Sequence, residues 1–169
     1  MKLPTDVETS VLETLKCCEV NDDPSDESTS SAGFDEGSEV IRWGRQKHEE
    51  VMAQLPPHLR RRGEHVYTRA VRSGAAHKLD LHTVDPRKGD YQMTVAVRGG
   101  STMCRADMNG HHTFASEPGT GYFMDNAAPQ KCESSSGEVV VLTFGFRDLH
   151  DEFEKYNKPE AWVPRGDAS

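Results

Sequence analysis

The sequence predicts a mainly β fold, an all-β sandwich or barrel with one helix before it and a short helix after it. Three observations lead there. Between residues 64 and 146 short apolar segments recur with Gly, Asn and Pro between them, the punctuation of several short strands. Asn109-Gly110 separates two of these segments and is a strong hairpin signal, because tight hairpin turns need residues that accept positive φ. The apolar run Glu138 to Phe146, EVVVLTFGF, reads as a central strand, covered on both sides.

In chain order, residues 1–37 read as an acidic disordered tail. Residues 1–40 carry eleven acidic side chains and two basic ones, Lys2 and Lys16. That stretch therefore contributes −9 to a net charge of −8, and the remaining 129 residues sum to +1. Within the tail, Val7, Val11, Leu12 and Leu15 outline one face of a short helix at 6–18. A lone helix of that length is marginal in water, so it is expected to fluctuate. The following NDDPSDESTSSAGFDEGSE has almost no apolar residues and reads as linker.

A compact unit is expected over 38–156, with 157–169 as a flexible C-terminus. It opens with a helix at about 38–54, where Ser38 is the N-cap, Pro56-Pro57 is the stop, and Val40, Ile41, Trp43, Val51, Met52 and Leu55 form the docking face. Strands follow at Glu64–Ser73, Ala75–Thr83, Tyr91–Val97, Ser101–Met108, Thr113–Ala115, Tyr122–Asp125 and Glu138–Phe146. Tyr91, Met93, Val95 and Val97 alternate with Gln92, Thr94, Ala96 and Arg98, so one face of that strand should be buried. A last helix from Arg147 to Tyr156 would carry Leu149, Phe153 and Tyr156 as a narrow stripe that suits either its own barrel or a homodimer.

Charge excludes one class of function. A nearly neutral domain behind an acidic tail lacks the Lys and Arg that neutralise phosphates, so no direct nucleic-acid binding is expected. Arg60, Arg61 and Arg62 follow a helix end and read as C-terminal caps or solvated charges. Cys17, Cys18, Cys104 and Cys132 form no C-x-x-C pair and read as free thiols in a reducing, cytoplasmic setting. The N-terminus shows no signal region and the chain no apolar run long enough to span a bilayer, so no membrane association is expected.

The order of GDYQMTVAVRGG, the turn at Asn109-Gly110, EPGTGYFMDNAAPQ and the closing EVVVLTFGF resembles a cupin-like β-barrel. More narrowly, with Trp43 on a leading helix and TRAVRSGAAHKLD after it, residues 38–150 resemble the N-terminal effector-binding domain of AraC-type transcriptional regulators. In that family two helix-turn-helix units follow the barrel, and none follows here. The resemblance implies a sensing half without a DNA-reading half, taking a small-molecule effector or a protein partner, and it implies a dimer through helices after the barrel.

Catalytic motifs are sparse. Cupin enzymes hold a metal with a close His pair, a Glu and a further His. Here His77 and His82 are five apart and would point to opposite faces of an unbroken strand. Only Glu117 and Asp125 supply carboxylates near the Pro118-Gly119 turn. His111 and His112 fall in the hairpin and are expected to meet water. Cys104 and Cys132 have no neighbouring His in sequence and read as inert. No catalytic set, metal or cofactor is therefore expected. His77, His82, Tyr91, Met93, Tyr122 and Asp125 are the candidates for lining a ligand cavity. A regulatory binding module is the first reading, and a small metal-dependent cupin enzyme the alternative.

Overall fold

The computed structural model describes residues 1–18, 29–74, 79–135 and 137–149. They form two helices and nine strands in two antiparallel sheets. Helix α1 is Thr5–Cys17 and α2 is Glu39–Gln54. The strands are β1 Thr29–Gly33, β2 Gly63–Ser73, β3 Leu79–His82, β4 Tyr91–Arg98, β5 Ser101–Asp107, β6 Gly110–Ser116, β7 Gly121–Asp125, β8 Gln130–Ser135 and β9 Val139–Asp148. One sheet has the order β1-β2-β9-β4-β7, the other β3-β8-β5-β6. The mainly β, cupin-like barrel predicted from sequence is the observed fold.

The five-stranded sheet separates two environments. Along β9, Val140, Leu142, Phe144 and Phe146 point to the helices, together with Tyr91, Met93, Val95 and Val97 of β4. Both helices pack there, so β4 is buried along nearly its whole length, and its polar residues face the second sheet instead of solvent. Helix α2 starts as expected, with Ser38 Oγ accepting from the Ile41 N–H. Its Gly44 lies so close to the sheet that an added Cβ would stand 2.1 Å from the Phe144 ring. Arg60 closes the other end, its Nε donating to the Leu55 carbonyl at 2.7 Å and its Nη2 to that of Ala53 at 3.2 Å, as its position after the helix suggested.

The N-terminal expectation needs correction. Helix α1 is docked, with Val7, Val11, Leu12 and Leu15 buried in the same core. Tertiary burial of its apolar face supplies what an isolated helix lacks. Part of the supposed linker, β1, pairs in register with β2 from Thr29↔Ser73 to Gly33↔Arg69. Its TSSAG sequence is polar because an edge strand needs backbone pairing more than apolar side chains. Strand β8 also escaped the sequence reading, although it pairs with both β3 and β5.

The hairpin forms one residue earlier than the Asn-Gly signal implies. Asp107 pairs with Gly110, leaving Met108 and Asn109 as the loop. Asp107 Oδ1 accepts from the Asn109 N–H at 2.7 Å, and Gly110 carries the positive φ of 119°. At the end of the chain, β9 runs through Arg147 and Asp148 where a helix was expected to start. Phe153 and Tyr156 of the expected stripe lie outside the described residues. Among the described residues no helix is long and apolar enough to cross a membrane, and all four cysteines are free.

Candidate functional site

A cavity of about 460 Å³ opens between the two sheets. The larger sheet presents Gln92 and Thr94 of β4, Val141 and Thr143 of β9, and Tyr67 and Arg69 of β2. The smaller one contributes Met103, Gln130 and Cys132. The end of β3 and the segment after it add His82, Thr83, Val84, Asp85 and Lys88 to the lining. The strand period explains the lining. Once the apolar residues of β4 and β9 turn to the helices, the residues between them must face the cavity.

The interior is largely apolar, lined by Val71, Met103, Val139 and Val141, with a few uncharged polar groups set among them. Gln92, Thr94 and Gln130 are buried. Gln92 Nε2 donates to Gln130 Oε1 at 3.4 Å, and the Thr94 and Thr143 hydroxyls share a hydrogen bond of 3.1 Å. The Tyr122 phenol, hydrogen-bonded to Thr94, is pushed up to about 12 chiefly by burial, so it stays neutral. Among the charged lining residues, Arg69 is exposed and donates to the Ser31 hydroxyl. Lys88 Nζ sits 5.4 Å from the Tyr67 ring centroid. The half-buried Asp85 carboxylate accepts from both Arg87 Nε and Nη2, at 3.0 Å and 2.6 Å. That side-chain pairing, with the Arg87 N–H, holds it at about 2.

Of the six cavity candidates, the structure places His82 and Tyr122 on the cavity. His82 is opposite Gln130 in the β3–β8 register. His77 lies outside the described residues. Tyr91 and Met93 belong to the helix-facing core, because the apolar half of β4 turns to the helices. Asp125 does not line the cavity. It accepts from the Ala127 N–H at 3.0 Å and faces Arg61 at 3.4 Å. Glu117 closes its own turn, its carbonyl accepting from the Thr120 N–H at 2.9 Å. Gln92, Thr94 and Thr143 were missed. The signal for Gln92 and Thr94 was the polar half of the β4 alternation, read as the face that is not buried.

Two clusters lie away from the cavity. On the helix side, His48 and the Tyr91 hydroxyl share a hydrogen bond of 2.7 Å, and the imidazole stacks on Phe146 with centroids 4.1 Å apart. Arg61 lies over the Tyr91 ring at 4.8 Å and reaches Asp148 at 3.6 Å. Burial lowers His48 and raises Tyr91, so both are neutral near pH 7. In the smaller sheet, the buried Cys104 Sγ is 3.5 Å from Nδ1 of the exposed His111, brought together by strand pairing seven positions apart in sequence. His112 pairs with Asp107 at 3.1 Å.

Among the described residues no three His, Cys, Asp or Glu side chains converge on a point that could hold a metal ion. No family profile and no curated protein matches the chain. Solved structures do. A prolyl-4-hydroxylase from Pseudomonas putida is similar at 12% identity, with 86% of this chain and 88% of that one covered and a TM-score of 0.61. A viral collagen prolyl hydroxylase from Paramecium bursaria Chlorella virus-1, solved as its 2OG complex, gives 16%, 86%, 92% and 0.60. A Burkholderia pseudomallei oxidoreductase of the 2OG-Fe(II) oxygenase family gives 11%, 86%, 82% and 0.57. At these identities the likeness establishes the fold alone.

Proposed function

We propose that the protein handles a small polar molecule in the cavity between its sheets, as a small metal-dependent enzyme of the cupin type. The observation that carries the reading is the cavity itself, about 460 Å³ with His82 in its lining. Concave sites of this size with a few convergent polar groups are where small ligands bind. The likeness to two prolyl hydroxylases and a 2OG-Fe(II) oxygenase supports the enzyme class over a transcriptional sensor, by analogy of fold.

A non-haem iron centre of that class rests on two imidazoles and one carboxylate around open positions. The described cavity residues offer one imidazole, His82, and one carboxylate, Asp85, which Arg87 already engages. That set falls short of such a centre, and no chemical step is routed through a metal. The shortfall favours a second reading, the one the sequence resemblance implies: a ligand-sensing or protein-binding regulatory module related to the AraC-type effector domain.

Metal analysis separates the two. On the enzyme reading, protein loaded anaerobically with Fe(II), Mn(II) or Zn(II) and then desalted retains about one metal per chain, and His82→Ala loses it. Protein that retains no metal, yet melts at higher temperature with a small molecule bound, overturns the enzyme reading and leaves the sensing one.

A further inference from the structure

The deep wall of the cavity carries a chemical preference that fold likeness does not supply. Gln92 and Gln130 come from opposite sheets and are only 8% and 4% exposed. Their mutual bond is the one side-chain hydrogen bond that either makes among the described residues, and at 3.4 Å it is long. A primary amide offers two donor hydrogens and an acceptor oxygen. With Gln92 donating, its own carbonyl oxygen and the Gln130 NH₂ are left uncommitted. With Gln130 donating, the uncommitted pair is the Gln130 carbonyl and the Gln92 NH₂. Either way the cavity wall presents one acceptor and one donor side by side.

The surroundings sharpen the preference. Thr94 and Thr143 bond each other and Tyr122 bonds Thr94, so the neighbouring hydroxyls are already committed. The charged lining residues are engaged: Arg69 donates to the Ser31 hydroxyl, Lys88 lies over the Tyr67 ring and Asp85 pairs with Arg87. A carboxylate would press a lone pair against the glutamine carbonyl, and an amidinium would press an N–H against the glutamine NH₂. Each sets like against like and forfeits one of the two hydrogen bonds that a group with adjacent donor and acceptor would make.

We infer that the Gln92–Gln130 pair is a recognition site for an uncharged group carrying adjacent donor and acceptor, such as a carboxamide or lactam. The inference rests on the cavity being the ligand site, as proposed above, and names the class of ligand it takes. The test uses three probes that share a phenyl ring: benzamide, benzoate and benzamidinium. Each is titrated into the full-length chain while the side-chain NH₂ signals of Gln92 and Gln130 are followed by NMR.

Benzamide is expected to shift both signals and to bind at least about tenfold more tightly than either ion. In Gln130→Glu, which turns the donor into an anionic acceptor, the order is expected to invert in favour of benzamidinium. Benzoate shifting the same signals with equal or higher affinity overturns the inference while leaving the cavity as the site. If no probe moves either signal, both the inference and the cavity reading fail. The ranking on the unmodified chain decides even where Gln130→Glu does not fold.

Discussion

The two faces of the five-stranded sheet are made from the same residues taken alternately, and they do opposite work. On the helix face, Tyr91, Met93 and Val95 of β4 and Val140, Leu142, Phe144 and Phe146 of β9 are buried in one core with residues of α1 and α2. On the other face, Gln92, Thr94 and Thr143 stand between them in sequence and line an open cavity. A period of two assigns stability to one side and recognition to the other. The smaller sheet then serves mainly to enclose the polar side. A face that is buried under helices fixes the register of every strand in the sheet, because a one-residue slip would send its apolar set into the cavity.

The comparison predicts unequal costs for truncation. Phe144 is fully buried, packs tilted on Trp43 with ring centroids 5.9 Å apart, and fills the space left by Gly44. Phe144→Ala is expected to lose about 3–5 kcal/mol in denaturant unfolding. A loss under about 1 kcal/mol would mean that the helices do not seal this face as described.

The helix face was the legible one. Periodicity located α2, its Ser38 cap and the apolar half of β4, and the unbroken EVVVLTFGF run marked β9 as central. What stayed hidden depends on partners far away in sequence. Helix α1 reads as marginal because its stability comes from Leu15 and Val11 docking on a core built much later in the chain. Strands β1 and β8 are polar because one is an edge and the other lines the cavity, so neither shows the expected alternation. Gln92 and Gln130 become a pair only when two sheets close over each other, and the sequence between them, 38 positions from one to the other, carries no trace of it.

A smaller effect tests how dry the helix face is. Burial lowers both His48 and His65 from the usual value of 6.5. Above about pH 6.5 both are neutral in the folded and unfolded chain and add no pH dependence. As the pH falls below that value, the unfolded chain takes up protons that the folded one refuses, so stability drains away toward the lowered folded values. His48→Gln keeps a polar partner for the Tyr91 hydroxyl without titrating. Chemical denaturation between pH 7.5 and 5 is expected to show a shallower acid decline in this variant, with His65 responsible for what remains. An unchanged decline would place the proton uptake elsewhere.

The smallest change is expected on the cavity face. Thr143→Val removes one hydroxyl from the hydrogen bond with Thr94 at nearly constant volume. Thr94 keeps its bond to Tyr122, and the lost hydroxyl faces the cavity, so no buried group is stranded. A net cost of about 1 kcal/mol or less follows, several times smaller than that of Phe144→Ala one residue along the same strand. Melting the two variants side by side isolates the face of the sheet as the variable. Equal losses would show that the cavity wall is as stability-critical as the core, and would break the division of labour between the two faces.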